Sequence, residues 1–517
     1  MKKLFMSISL AAILLLSACG TSFGHMNMMN SPEERSEWSM MRDQMMGERM
    51  MRQHESMMRE PMMNESMMMG QMGHGHDGVR LQDSTGQNAL NIPPILESDQ
   101  KSGNDVYYTI EAQKGQTEIF EGYQTDTLGY NSSFLGPVLK LQKGQTVHMT
   151  LKNRLDEETT FHWHGLIIEG DADGGPHSVI QPGEEKEITF KVQQERATLW
   201  FHPHPKGKTA KQVFEGLAGL MYIEDDAEDP YVYGENDFPL IIQDRTFNDQ
   251  KQLDYEAVKN FDGTTGETLL INGTLNPYLT VNQEKVRLRL LNGSNMRNYT
   301  FKLSNNQAFQ QVASDGGLLN EPVELTELQL TPSERAEIVV DFSKMKEDEE
   351  VELIMDDGTV LLPFEVTDVK SNIQKKTPKP KKPITISEED MQKPVTKTFE
   401  LFGMGQHVTI NGKKFDMDRI DFTQKKGETE VWEIYNKPDM MGGMIHPFHI
   451  HGTQFKVISI NGEAPPENLQ GYKDTITLDP GDRAKIAVKF AEEGIYMYHC
   501  HILEHEDNGM MGQIKVE

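Results

Sequence analysis

From Val106 onward, apolar and polar residues alternate in short runs divided by turn signals, the period-2 pattern of half-buried β-strands. Lys143-Gly144, Pro182-Gly183 and Pro480-Gly481 punctuate the runs. One turn-plus-strand pattern occurs three times: Pro182-Gly183-Glu184-Glu185-Lys186-Glu187-Ile188, Pro332-Ser333-Glu334-Arg335-Ala336-Glu337-Ile338 and Pro480-Gly481-Asp482-Arg483-Ala484-Lys485-Ile486. The copies start 150 and 148 residues apart, so the repeating unit is a whole domain. A second echo precedes each copy, in strands that end at Asn153, Asn292 and Asn436. The pattern predicts an all-β chain of three related β-sandwich domains, over residues 81–228, 229–368 and 396–517. Residues 369–395, around Lys375-Lys376-Thr377-Pro378-Lys379-Pro380-Lys381-Lys382-Pro383, read as a stiff, solvated linker between the second and third.

The N-terminal stretch follows neither pattern. Lys2 and Lys3, an apolar run from Leu4 to Leu16 and then Ser17-Ala18-Cys19 make a secretory signal, with a run too short to span a bilayer. Leu16-Ser17-Ala18-Cys19-Gly20 resembles the bacterial lipobox, so residues 1–19 are expected to be removed and Cys19 to be lipidated; an incidental cysteine in an ordinary signal is the alternative. The expected location is the cell membrane, lipid-anchored on the extracytoplasmic side. Residues 20–80 contain no Val, Ile or Leu before Val79 and cannot build a core. Of the chain's 33 methionines, 17 fall between Met26 and Met72, several of them as i, i+4 pairs such as Met41–Met45 and Met58–Met62. This tract is expected to be disordered or to fold only on a ligand. A flexible tether of biased composition is its plainer reading.

The 517 residues suit three domains at about 150 residues each. A net charge of −29 argues against nucleic acid and against anionic lipid headgroups as partners, and suits an exported protein that attracts cations. With only two cysteines, Cys19 and Cys500, no disulfide framework is available.

The second cysteine carries the chemistry. In a strand, His499 and His501 face one way and Cys500 the other, so a thiolate site and an imidazole site can be joined by a few covalent bonds. His505 and Met510 follow at spacings that fit a blue-copper site, which needs a thiolate, two imidazoles and a weak axial thioether. Ten of the 17 histidines form four motifs: His162-Trp163-His164, His202-Pro203-His204, His446-Pro447-Phe448-His449-Ile450-His451, and the stretch from His499 to His505. No histidine lies between His204 and His407, so the second repeat has none. Each H-x-H puts two imidazoles on one face of a strand. Zinc is the main metal alternative, but it needs about four ligands and makes no use of a thiolate wired to imidazoles. His148, His177 and His407 are expected to be ordinary surface or hydrogen-bonded residues.

These motifs resemble, in order and spacing, those of the multicopper oxidases, from about residue 100 to 517. The resemblance implies three cupredoxin-like Greek-key sandwiches and four copper ions. It implies type 1 copper at His446, Cys500, His505 and Met510; type 2 at His162 and His449; and a type 3 pair at His164, His202, His204, His451, His499 and His501. Asp173 and Glu506 match the family's acidic proton donors. Cys500 would carry electrons to His499 and His501, and dioxygen would be reduced to water. Family members differ in their electron donor. Met444, Met441, Asp439 and Met404 are the candidates to take Cu(I), since thioether is soft and the first three lead into His446. The chain looks like the cuprous oxidases of bacterial copper resistance, with Cu(I) and dioxygen as substrates. It departs from them by carrying a Lys/Pro linker where they often have a methionine-rich insert. A laccase-like oxidase of phenols or other metal ions is the alternative, and a monomer is expected.

Overall fold

The computed structural model describes residues 79–345, 350–371, 386–440 and 442–517. The signal segment with Cys19, residues 20–78 of the methionine-rich tract, Met441 and most of the linker lie outside the described residues. Six sheets pair into three sandwiches, each with its own apolar core.

In the first sandwich, a sheet built on strands Asp105–Thr117, Thr146–Asn153 and Glu185–Lys191 faces a four-stranded sheet of Leu139–Gln142, Gly219–Glu224, Ala197–His202 and His162–His164. The outer sheet shows the expected alternation: Val106, Tyr108, Ile110 and Ala112 point inward from one strand. The inner sheet does not alternate, because every residue of Ala197–His202 is buried. One face of it meets its own core and the other meets a neighbouring sandwich. The third sandwich repeats the plan. Its inner sheet, ordered Phe422–Gln424, Met511–Val516, Gly494–Cys500, His446–Ile450 and Thr475–Leu478, is also buried on both faces around the histidines. The first histidine of each motif, His162, His202, His446 and His499, therefore falls on a strand of these inner sheets.

The asparagine echo has one physical cause. Asn153, Asn292 and Asn436 end equivalent strands, and each amide donates to two loop carbonyls: Glu157 and Ile180, Arg297 and Leu330, Met444 and Leu478. Each is a buried peg that closes one end of its sandwich.

Two expected boundaries shift. Residues 81–92, expected to open the first sandwich, pack on the second. Asn88–Ala89 pairs in parallel with Pro277–Tyr278, and Leu81 and Leu90 enter the second core, so the segment covers an edge that would otherwise offer unpaired backbone groups. The linker is structured at its C-terminal end, where Ser387 and Asp390 form a capping box on the short helix Glu388–Met391.

The second sandwich is joined to the first by buried ions. Arg287 and Arg289 both grip Asp237, and Arg289 also reaches Glu337 and the hydroxyl of Thr198 in the first sandwich. Asp237 is held well below the usual carboxylate range by the two guanidiniums, against the opposing effect of burial. Its contribution to stability is therefore complete above the ordinary carboxylate pKa near 4 and is lost as pH falls toward the lowered value. Asp237→Ala leaves two buried cations without their shared anion, and a loss of about 3–5 kcal/mol in unfolding free energy is expected at neutral pH. Denaturant melts at pH 7 and below pH 4 check both magnitude and sign: the gap between wild type and variant should narrow in acid.

Candidate metal centre

Strand pairing brings the motifs together. His162 sits directly across from His202, and His449 directly across from His499, while Phe448 sits across from Cys500. Eight imidazoles, His162, His164, His202, His204, His449, His451, His499 and His501, meet where the inner sheets of the first and third sandwiches face each other. All are buried. They sort into two triads and a pair.

In one triad His204 Nε2 and His451 Nε2 lie 3.2 and 3.0 Å from His499 Nε2. In the other, His202 Nε2 lies 3.4 Å from His164 Nδ1, and the His501 ring is 5.0 and 5.4 Å from those of His164 and His202. His162 and His449 lie between the triads, each stacked at 3.7 Å on a member of one: His162 on His451, His449 on His164. Each triad and the pair draw on both sandwiches.

The outward nitrogens are held. Nδ1 of His162, His202, His449 and His499 donates to the carbonyls of Asp173, Pro203, Asp474 and Cys500, at 2.8 to 3.0 Å. His451 Nδ1 donates to Asp173 Oδ2 at 2.7 Å. These bonds turn Nε2 of each ring toward the cluster, the second layer of contacts that fixes tautomer and orientation at a metal site. His164 is reversed: its Nε2 donates to Asp474 Oδ1 at 3.0 Å and its Nδ1 faces inward. Inward nitrogens of His162, His449 and His501 have no hydrogen-bond partner. Buried nitrogens of this kind are costly to leave unmatched, and a metal ion matches them.

On the opposite side of Cys500 lies a smaller site. Ligand atoms of His446, Cys500 and His505 lie within 4.8 Å of one another, with Cys500 Sγ 3.6 Å from His505 Nδ1. Met510 is buried in the same core; its N–H donates to the His505 carbonyl and its own carbonyl accepts from Cys500. Asn436 Oδ1 accepts from His446 Nδ1 at 2.8 Å. In the first two repeats the equivalent oxygen binds a backbone N–H, of Leu155 or Ser294. The third repeat has turned the same peg to a metal-site ring.

Electrostatics prepare both sites for a cation. Burial disfavours the charged form of His164, His202, His204, His449, His451, His501 and His505, with His446 lowered to about 4 and His499 to about 3, and neighbouring rings depress one another further. Burial pushes the Cys500 thiol up, so metal must displace its proton. Neutral imidazoles, one thiol and a thioether form a donor set that suits copper.

The two predicted acids take different places. Glu506 bridges one triad, 3.3 Å from His204 Nδ1 and 3.4 Å from His499 Nδ1, and burial pushes its carboxyl well up. Asp173 accepts from His451 and has one oxygen, Oδ1, without a partner. Met444 does not offer an open thioether: it is 5% exposed and packs in the third core, because the Asn436 peg holds its backbone. Met404 is half-buried at the rim of that core; Asp439 is half-buried, and its sequence neighbour Met440 is fully exposed. His148 and His177 are hydrogen-bonded elsewhere, to Asp105 and Gln513. Sequence reasoning missed Asn436 as a ring anchor and Asp474 altogether. Asp474 lies 310 positions from His164, and no periodicity links them.

The multicopper oxidase family models match residues 111–228, 221–349 and 376–517. Multicopper oxidase mco of Staphylococcus haemolyticus is 54% identical over 450 residues, 87% of this chain and 97% of that one. Among solved structures, a laccase from Pediococcus acidilactici Pa5930 is 47% identical with a TM-score of 0.81, over 85% of this chain and 96% of that one. A multicopper oxidase from Campylobacter jejuni, described as a metallo-oxidase, is 29% identical with a TM-score of 0.72, over 86% and 99%. With three cupredoxin-like sandwiches, a histidine cluster at the seam of the first and third, and these relatives, the chain belongs to the multicopper oxidase family, whose cofactor is copper.

Proposed function

We propose that this chain is a cuprous oxidase, which takes electrons one at a time from Cu(I) and passes them to dioxygen, in service of copper tolerance. The observation that carries the oxidase reading is the position of Cys500 between His499 and His501, which belong to different imidazole triads. Under this reading His446, Cys500, His505 and Met510 hold a type 1 copper; His162 and His449 a type 2; and the two triads the type 3 pair. Copper at these donors supplies one-electron transfer and the reduction of dioxygen to water. Everything else is the work of side chains. The peg Asn436 and the carbonyls behind the rings fix which nitrogen each imidazole presents. Burial keeps solvent from the cluster. Glu506, whose carboxyl burial pushes well up, stands beside His204 and His499, where reduction of dioxygen consumes protons. Asp173 fixes the ring of His451.

The preference for Cu(I) is supported by soft donors near His446. Exposed Met440 and half-buried Met404 offer thioethers on loops of the third sandwich and half-buried Asp439 a carboxylate, and the sequence carries 17 further methionines between Met26 and Met72. A laccase-like oxidation of phenols is the second reading, favoured by the similar Pediococcus acidilactici structure that bears that name. The chain is further proposed to act at the outer face of the cell membrane through a lipid on Cys19.

Three outcomes are expected. Cys500→Ser yields a folded protein with no blue absorption and no oxygen uptake; a blue variant would end the assignment. Steady-state oxygen uptake gives kcat/KM for Cu(I) at least about tenfold above that for a simple phenol, and Met404→Leu with Met440→Leu removes about that factor for Cu(I) alone, about 1.4 kcal/mol. Equal loss for both donors, or a phenol preference in wild type, would favour the laccase-like reading. Cys19→Ala moves the protein from the membrane to the soluble fraction, as measured by fractionation.

A further inference from the structure

The second sandwich holds no histidine, yet one of its side chains reaches the cluster. Arg335, on strand Arg335–Asp341, is fully buried and donates through both Nη atoms to the carboxylate of Asp474 in the third sandwich, Nη1 to Oδ1 at 2.8 Å and Nη2 to Oδ2 at 2.5 Å. Its remaining donors go to three carbonyls: Nε to Thr198, Nη1 to Ser333 and Nη2 to Asp315. Thr198 lies on the first-sandwich strand that ends in His202. One guanidinium thus ties all three sandwiches, with every N–H spent.

Asp474 is the group that makes His164 exceptional. Its Oδ1 accepts from His164 Nε2, and its carbonyl accepts from His449 Nδ1. One residue therefore sets the inward nitrogen of a ring from each sandwich, and of opposite kinds: Nδ1 for His164, Nε2 for His449. The space for this arrangement is reserved next to His164 itself. Gly165 has φ +83°, and a Cβ there would lie 2.5 Å from Asp474 Oδ2 and 2.8 Å from Arg335 Nη2. An alanine would meet the ion pair and strain the backbone together.

We propose that Arg335, supplied by the histidine-free second sandwich, is a positioning residue for the cluster: by clamping the Asp474 carboxylate it fixes the ring orientation of His164. The inference rests on the reading of the cluster as a copper centre for its consequence, but not for its geometry, and the experiment separates the two. Without the fork, Asp474 can rotate about its side-chain bonds, and His164 loses the acceptor that keeps its proton on Nε2. Loss of a contact of this kind behind a ligand weakens metal binding about 10–100-fold.

The test uses the full chain and the variants Arg335→Met and Arg335→Lys. In metal-free protein labelled with ¹⁵N-histidine, and assigned by difference from His164→Gln, His164 is expected to carry its proton on Nε2 in wild type. The same ring should show mixed or reversed protonation in Arg335→Met and be partly restored in Arg335→Lys. In copper-loaded protein, Arg335→Met should keep wild-type blue absorption per chain, since the Cys500 site lies on the far side of its strand. Its copper beyond the blue ion should bind about tenfold or more weakly, read as copper per chain at limiting copper. A merely structural role lowers the thermal midpoint while leaving the His164 tautomer and copper per chain at wild-type values, and that result overturns the proposal. Should Arg335→Met fail to fold, Asp474→Asn is read the same way, because it turns one oxygen of the fork into a donor facing the guanidinium; an unchanged His164 tautomer there overturns the proposal equally. The tautomer measurement stands even if wild type takes up no copper, an outcome that would speak only against the oxidase reading.

Discussion

Eight imidazoles closed off from water at a seam between two sandwiches are the constraint that the rest of this structure serves. A ring nitrogen in such a place must have a partner, because burial without one costs far more than a hydrogen bond gains. The structure meets that demand in part. Outward nitrogens of His162, His164, His202, His449, His451 and His499 are matched to carbonyls and carboxylates at 2.7 to 3.0 Å, whereas the inward nitrogens of His162 and His449 and both nitrogens of His501 have no hydrogen-bond partner. Burial also disfavours the charged form of His449 and His501, which leaves their lone pairs free. Metal loading and closure of the seam are coupled for this reason, since an ion that binds the closed form alone stabilises it.

A seam with that property needs fixed geometry, and apolar packing between sandwiches, such as Trp200, Leu220 and Tyr222 against Ile241 and Leu291, is not its only source. Buried charges also cross between sandwiches: Lys473 of the third binds Asp315 and Glu334 of the second, Arg289 of the second binds Thr198 of the first, and Arg335 reaches both neighbours. Buried ion pairs add little net stability over apolar packing, but breaking one is costly, so they favour a single register of the surfaces they join. Apolar surfaces can slide by fractions of an ångström at little cost. Rings that must present chosen nitrogens across a seam cannot tolerate that. The second sandwich, with no ligand of its own, is best understood as the part that holds the other two at the required distance.

Much of this was legible in the chain. The threefold turn-and-strand repeat predicts three sandwiches, and H-x-H at strand period puts ring pairs on one face, which is what strands His162–His164 and Gly494–Cys500 with its continuation to His501 do. Asn153, Asn292 and Asn436 were visible as an echo, though not as pegs, because a side chain's partners depend on loops that close later in the fold. Three features were not legible, each for a stated reason. Residues 81–92 precede the first sandwich but cover the second, and nothing local distinguishes the two edges. Met444 has the composition of a surface metal donor, yet the peg that holds its carbonyl draws its side chain inward. Asp474 and Arg335 act through contacts 139 to 310 residues long, beyond the reach of any periodicity.

The strand Gly494–Cys500 shows how little covalent structure separates two chemistries that must not mix. Cys500 turns into the third core, toward Phe448, His446 and Met510, where the surroundings are apolar and the ring of His446 is braced by one amide oxygen. His499 and His501 turn to the seam, among rings and acids. The alternation of a β-strand does this at no cost, since adjacent side chains face opposite ways by geometry alone. It also keeps the acid on one side: Glu506 lies beside His204 and His499, while on the other side burial keeps the proton on the Cys500 sulfur until a metal replaces it. A helix in the same place would present residues 499, 500 and 501 at about 100° to one another and bring the thiol and the imidazoles toward a common edge. The separation of a thiol site from an imidazole site is thus a property of the strand itself, and it explains why three consecutive residues can belong to both.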